Sequence, residues 1–186
     1  MLRNALLWAS TNPTLARKLP RYGFVKKATK RFMPGEELND ALREADALKA
    51  LGIATTITLL GEHLTSPTEP DGVVGQYGEV LRGVEERGFD TEISVKPTQL
   101  GVDFGVHEAG ERLAQLTAST TSLVWIDMEG SAYVDRTLEV FHRVREEHEN
   151  VGLCMQSYLR RTEEDLNSIL PLDPAIRLVK GAYNEP

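Results

Sequence analysis

Residues 36–61 read EELNDALREADALKALGIATTITLLG, and the two halves of this stretch obey different periods. Leu38, Ala41, Leu42, Ala45, Leu48 and Leu51 recur at steps of three and four, the spacing of one helix face, and Gly52 stops the run. Ile53 to Gly61 is short, β-branched and closed by glycine, the pattern of a strand. A helix that feeds straight into a strand is one step of an alternating chain.

Downstream the step repeats. Val73, Val74, Tyr77, Val80, Leu81 and Val84 share one side of a second helix, with Gly88 behind it. Strands are predicted at 91–96, 123–128, 151–157 and 176–179, separated by helical runs near 108–118, 134–148 and 163–170. Thr162-Glu-Glu-Asp165 reads as a capping-box start for the last helix, its acidic groups at the positive end, and Pro171 blocks continuation. The order is a helix followed by βαβαβαβαβ, and helical crossovers return each strand in the same direction, so the sheet is parallel. A (β/α) barrel and an open doubly wound sheet both satisfy this order. Neither G-x-G-x-x-G nor G-x-x-x-x-G-K-[ST] occurs, which weakens the doubly wound nucleotide folds. Polar residues instead gather where strands end: Glu62, Lys96, Asp127 with Glu129, Gln156 with Tyr158, and Arg177 to Tyr183. In a barrel those ends converge on one mouth. The expectation is an α/β fold, an incomplete (β/α)8 TIM-type barrel over residues 36–186 with about five of eight strands, preceded by a basic helical arm over residues 1–35.

Composition agrees with a globular chain: 41% of the 186 residues are apolar, 15 are glycine and one is cysteine. Cys154 lies in an apolar run and reads as a buried, inert thiol, in keeping with a reducing, cytoplasmic setting. The longest uninterrupted apolar stretches, such as Ala5 to Ala9, fall far short of a membrane span. Charge is uneven. Arg3, Arg17, Lys18, Arg21, Lys26, Lys27, Lys30 and Arg31 meet no acidic residue in the first 35, which leaves 13 basic against 28 acidic side chains beyond them. The acidic body argues against a nucleic-acid channel, and the basic arm packs on that body or, as a minority reading, touches the inner membrane face peripherally.

Several side chains at the strand ends can carry chemistry. Lys96, before Pro97, suits a substrate carboxylate or phosphate, or is an exposed lysine after a strand. Asp127 directly follows Leu123-Val-Trp-Ile126 and needs a cationic partner against so apolar a run, whereas Glu129 reads equally as solvated in the loop. Gln156 and Tyr158 can bond a heterocycle's edge or satisfy loop backbone, and Arg160 and Arg161 read as solvated or as phosphate contacts. His63, His107, His142 and His148 show no metal-ligand spacing, and His142 and His148 read as solvent-facing. Arg177-Leu-Val-Lys-Gly-Ala-Tyr183 sets two cations on an apolar strand, then a glycine that admits a close backbone or planar ligand, then a tyrosine able to pack on a ring. A structural ion pair is the alternative for Arg177.

These segments, Ser94-Val-Lys-Pro-Thr-Gln-Leu-Gly101, Ile126-Asp-Met-Glu129, Met155-Gln-Ser-Tyr-Leu-Arg-Arg161 and Arg177 to Tyr183, resemble the proline dehydrogenase family in sequence and order. Arg31-Phe-Met-Pro-Gly-Glu-Glu-Leu38 and Thr58-Leu-Leu-Gly-Glu62 look similar as well. The resemblance implies a distorted (β/α)8 barrel that binds FAD at the strand ends and oxidises L-proline to 1-pyrroline-5-carboxylate. It places Arg177 on the flavin N5 side, Gln156 at the isoalloxazine edge, and Val179, Lys180 and Gly181 along the cofactor. Lys96 would bind the carboxylate of proline, Asp127 would organise the polar floor beside it, and Tyr183 would wall the pocket; Arg177 and Asp127 are the catalytic assignments. The electron acceptor would be a quinone, with oxygen the other choice. No metal is implied. The family's last strands, its late histidine and a pair of arginines have no counterpart here, so the expectation is a polypeptide inactive by itself. Two other readings stand beside this one: a Schiff-base aldolase using Lys96 or Lys180, and a non-catalytic fragment.

Overall fold

A computed structural model describes residues 22–23, 35, 37–61, 64–183 and 185. The basic side chains of the arm, and Glu62 and His63, lie outside the described residues. The chain parts into two compact units, residues 1–47 and 48–186, with the boundary inside the first described helix, α1 (Leu38–Lys49). In the second unit β1 (Thr55–Thr58), α2 (Glu69–Arg87), β2 (Thr91–Val95), α3 (Val106–Ala118), β3 (Val124–Ile126), α4 (Val134–Arg145), β4 (Val151–Gln156), α5 (Thr162–Ile169) and β5 (Ala175–Val179) follow one another. Every predicted strand and helix of this region is present.

The strands form one parallel sheet in the order β1-β2-β3-β4-β5. That order separates the two architectures. A doubly wound sheet reverses at a switch point and carries helices on both faces, whereas unbroken sequential order is the progression of a barrel wall. Ile93, Val95, Val124, Ile126, Val151, Leu153 and Met155 alternate onto one face and are almost completely buried, together with Val80, Leu113, Phe141 and Ile169 of the helices. The opposite, inward face carries Glu92, Ser94, Trp125, Gly152, Cys154, Gln156 and Arg177. Cys154 is buried and free, as the sequence suggests.

Turn chemistry explains where the elements stop. After α2, Gly88 adopts a left-handed conformation (φ 59°), and Phe89 N–H returns to Val84 O, closing the helix in a Schellman-like turn. Lys49 Nζ donates to the Arg87 and Gly88 carbonyls at 3.0 Å each, which satisfies the same terminus from another element. Asn150 Nδ2 donates to Thr117, Thr120 and Ser122 carbonyls and ties the end of α3 to the start of β3. The capping box expected at α5 does not form. Thr162 Oγ1 donates to Gln156 O at 2.5 Å, and the buried Asp165 carboxylate takes both Arg161 Nε and Nη2, because that bidentate charged pair is stronger than a neutral cap. Acidic residues still occupy the first turn of α5.

β1 and β5 are the outer strands among the described residues. Next to β5, Leu178 is 60% exposed and Leu170 is 52% exposed, an apolar margin with no described element over it. No helix among the described residues is long and apolar enough to cross a membrane.

Candidate active site

The inward face becomes polar one step beyond the ends of β2 and β3. Asp127 N–H donates to Val95 O at 2.8 Å, so the aspartate continues the ladder and its side chain is delivered inward. Its Oδ1 accepts from Arg177 Nη2 at 2.6 Å and from Ser94 Oγ at 2.7 Å, and its Oδ2 accepts from Lys96 Nζ at 3.3 Å. Arg177 Nη2 also reaches Ser94 Oγ at 2.9 Å. Among the described residues two cations therefore share this carboxylate. The cationic partner expected for Asp127 is found. Ser94 is the shared hydroxyl that the sequence reading quoted without giving it a role.

Arg177 commits only Nη2 in these bonds, and its guanidinium lies over the Trp125 ring with Cζ 5.1 Å from the centroid. Its Nε and Nη1 have no hydrogen-bond acceptor among the described residues. Gln156, one layer further toward the strand ends and 4% exposed, donates from Nε2 to Met128 O at 2.5 Å, while its Oε1 is buried without a donor. A buried acceptor left unanswered costs about 1–3 kcal/mol in a finished protein. Unused donors on Arg177 and an unused acceptor on Gln156 thus face the same inward side, and this donor-and-acceptor set fits the hydrogen-bonding edge of an isoalloxazine.

The other expected positions divide. Val179 registers with Gln156 and its carbonyl accepts Ser157 N–H at 2.7 Å, so it stands beside the cluster. Gly181 has φ +107°, and a Cβ there would strike the Tyr158 ring, so within this chain the planar group against the glycine is Tyr158. Tyr183 is partly buried, and its carbonyl accepts Tyr158 Oη–H at 3.2 Å. Lys180 is exposed and alternates to the other face, which leaves its carbonyl, bonded to Tyr158 N–H, as its link to the site. Arg161 stays partly exposed, as the solvated reading expects, and its guanidinium is engaged by carboxylates: besides Asp165 it pairs with Asp135 at 2.6 Å. His142 and His148 are half-buried rather than solvent-facing, His142 through an edge contact with Phe141.

Glu129 corrects the solvated reading. It is 1% exposed, and its carboxylate accepts Thr98 N–H at 2.9 Å and Thr98 Oγ1–H at 2.7 Å, because a strand-end turn rich in backbone donors needs an internal acceptor. Beside it Gln99 Nε2 donates to the Leu59 and Gly61 carbonyls, and its Oε1 accepts from Lys96 N–H and lies 3.2 Å from Tyr77 Oη, a weaker share of that phenol's single proton. Tyr77 Oη accepts Leu59 N–H at 3.1 Å and donates to Ser94 O at 2.7 Å, and burial pushes its phenol above the ordinary value. Sequence reasoning placed Tyr77 on an apolar stripe and gave Gln99 no role. The available signal was the phenol itself, since a buried tyrosine must find a hydrogen-bond partner. Lys96 is engaged by Asp127 and Lys180 is exposed, so neither lysine occupies the apolar pocket a Schiff-base nucleophile requires. Among the described residues no three His, Cys, Asp or Glu side chains come together as a metal site.

The proline dehydrogenase family model matches residues 41–186. The chain is 32% identical to proline dehydrogenase 1 of Bacillus subtilis subsp. natto and 33% identical to the proline dehydrogenase of Deinococcus radiodurans, in each case over all of this chain and 62% of the relative. It therefore spans less than two thirds of these relatives' length. Among solved structures, proline utilization A of Bradyrhizobium japonicum superposes with a TM-score of 0.67 at 20% identity, over 91% of this chain and 21% of that one. Proline utilization A of Corynebacterium freiburgense does so at 0.61 and 25% identity, over 80% and 17%. The match of fold, strand-end motifs and sequence over most of the chain leads to one conclusion: this polypeptide belongs to the proline dehydrogenase family.

Proposed function

We propose that this chain forms the FAD- and proline-binding wall of a proline dehydrogenase, which oxidises L-proline to 1-pyrroline-5-carboxylate. The observation that carries the reading is a pair on the inward face: Arg177 Nε and Nη1, which meet no acceptor among the described residues, and the buried Gln156 Oε1, which meets no donor among them. Arg177, Gln156, Val179 and Gly181 would hold the flavin, with Lys180 contributing through its backbone. The redox chemistry, acceptance of a hydride from the carbon beside the amine, is what FAD supplies when bound. Lys96 then binds the substrate carboxylate by a charge-assisted hydrogen bond, Asp127 fixes Lys96 and Arg177 in one plane of contacts, and Tyr183 closes the side of the pocket. Arg177 keeps a positive charge where negative charge accumulates during reduction. A quinone as electron acceptor, and peripheral membrane contact through the basic arm, belong to the same proposal and rest on the sequence alone.

The test uses the full-length protein purified with FAD and stripped of free cofactor. A flavin band near one per chain that bleaches anaerobically with L-proline is the expected result. Stoichiometric flavin that proline does not bleach would remove the substrate assignment, and borohydride trapping of a carbonyl compound on Lys96 would carry the aldolase reading instead.

A further inference from the structure

Trp125 is an inward-facing side chain that the motifs and the proposed chemistry leave unused. It sits on β3 two residues before Asp127, is 9% exposed, and is fixed from three sides. Indole Nε1 donates to Glu92 Oε2 at 2.5 Å. Its register partner on β4 is Gly152, where a Cβ would stand 2.7 Å from ring carbons Cε3 and Cζ3, so the neighbouring strand is cleared of a side chain to admit the ring. The Arg177 guanidinium occupies the third side, 5.1 Å from the ring centroid.

An aromatic face attracts a cation through its quadrupole and takes none of the cation's N–H groups as hydrogen-bond donors. A second carboxylate at this position would have consumed Nε or Nη1. The ring therefore packs against Arg177 without taking an N–H, Asp127 and Ser94 bond Nη2 alone, and Nε and Nη1 meet no acceptor among the described residues. We propose that Trp125 is the positioning residue for Arg177: its ring, locked by Glu92 and by the space at Gly152, sets the plane of the guanidinium so that the two free donors face the ligand on the inward face. This rests on the reading of that face as a flavin site.

A double-mutant cycle in the full-length protein tests it, with FAD Kd read from the quenching of flavin fluorescence, and proline KM and kcat measured alongside. Trp125→Leu should weaken FAD binding about five- to thirtyfold, the scale of a partly desolvated cation–π contact. That loss should vanish when Arg177 is already Met. Trp125→Phe, which keeps an aromatic face and drops the bond to Glu92, should stay within about threefold of wild type. If Trp125→Leu does not fold, Trp125→Met enters the same cycle, since its flexible side chain fills the volume without an aromatic face. An equal loss with and without Arg177, or a Phe variant as damaged as Leu, would overturn the proposal and leave Trp125 a packing residue in a flavin site that still stands. A wild-type protein that binds no FAD would overturn the functional reading and the proposal together.

Discussion

The exits of β2 and β3 differ from those of β4 and β5 although the four strands lie side by side. At the first pair, Glu129 answers the Thr98 backbone and hydroxyl, and Gln99 clamps Leu59, Gly61 and Lys96 with Tyr77 beneath it. At the second pair, among the described residues, Gln156 Oε1 meets no donor, Arg177 Nε and Nη1 meet no acceptor, and Leu178 is exposed. A closed network fixes geometry and an open one accepts something. The contrast divides the mouth into a hydrogen-bonded scaffold that presents Lys96 and Asp127, and a half whose polar side chains are less fully engaged by the described residues.

Breaking the closed half should produce the largest effect on stability. Glu129→Ala strands the buried Thr98 donors and is expected to lower the unfolding free energy by about 3 kcal/mol, with Glu129→Gln costing less than about 1.5 kcal/mol. Denaturant midpoints of the full-length variants measure both, and equal losses would mean that charge matters more than the acceptor atoms. At the border of the two halves, Lys96→Ala should raise the proline KM about ten- to hundredfold, or about 1.5–3 kcal/mol, and leave FAD affinity unchanged. An analogue lacking the carboxylate should be insensitive to the change, and equal loss for both substrates would reassign Lys96 to the scaffold.

Tyr77→Phe should cost about 1–2 kcal/mol at neutral pH, because Leu59 N–H and Ser94 O lose their shared partner. The same residue has an alkaline signature. Burial raises its folded-state value above 10.0, so the unfolded chain releases the proton first; Tyr77 stabilises fully below that pH and progressively less as pH rises through the folded value. Unfolding followed from pH 9 upward should show a decline that Tyr77→Phe reduces. The smallest effect belongs to the open half. Leu178→Lys should change stability by no more than about 0.5 kcal/mol in denaturant midpoints, since the side chain is 60% exposed.

Much of this architecture is legible from period alone. The stripe from Val74 to Val84, the apolar runs before Asp127 and Gln156, and the glycine at 88 all carry local signals with one structural meaning. The polar cluster is legible too, since charges that end apolar strands in a parallel sheet meet at one face. Other features depend on partners remote in sequence. Nothing near residue 129 announces that its carboxylate meets Thr98, and nothing in the run around Trp125 announces Arg177, which lies 52 positions downstream. Arg161 illustrates the same limit: Asp165 sits at helical spacing, but Asp135 belongs to a different helix. The α5 start went the other way, where a short local pattern lost to a stronger charged pair.

The sequential strand order also bears on how the molecule is made. Each strand from β2 to β5 hydrogen-bonds to one synthesised immediately before it, across a single helical crossover, so no strand among these must wait for a later one to find its template. A growing chain emerging N-terminus first can therefore extend the sheet unit by unit, closing only short loops at every stage. The newest strand is always an exposed one. In translation, the open sheet edges are thus the fixed one at β1 and a moving one at the newest strand, occupied at β5 by Ile176 and Leu178.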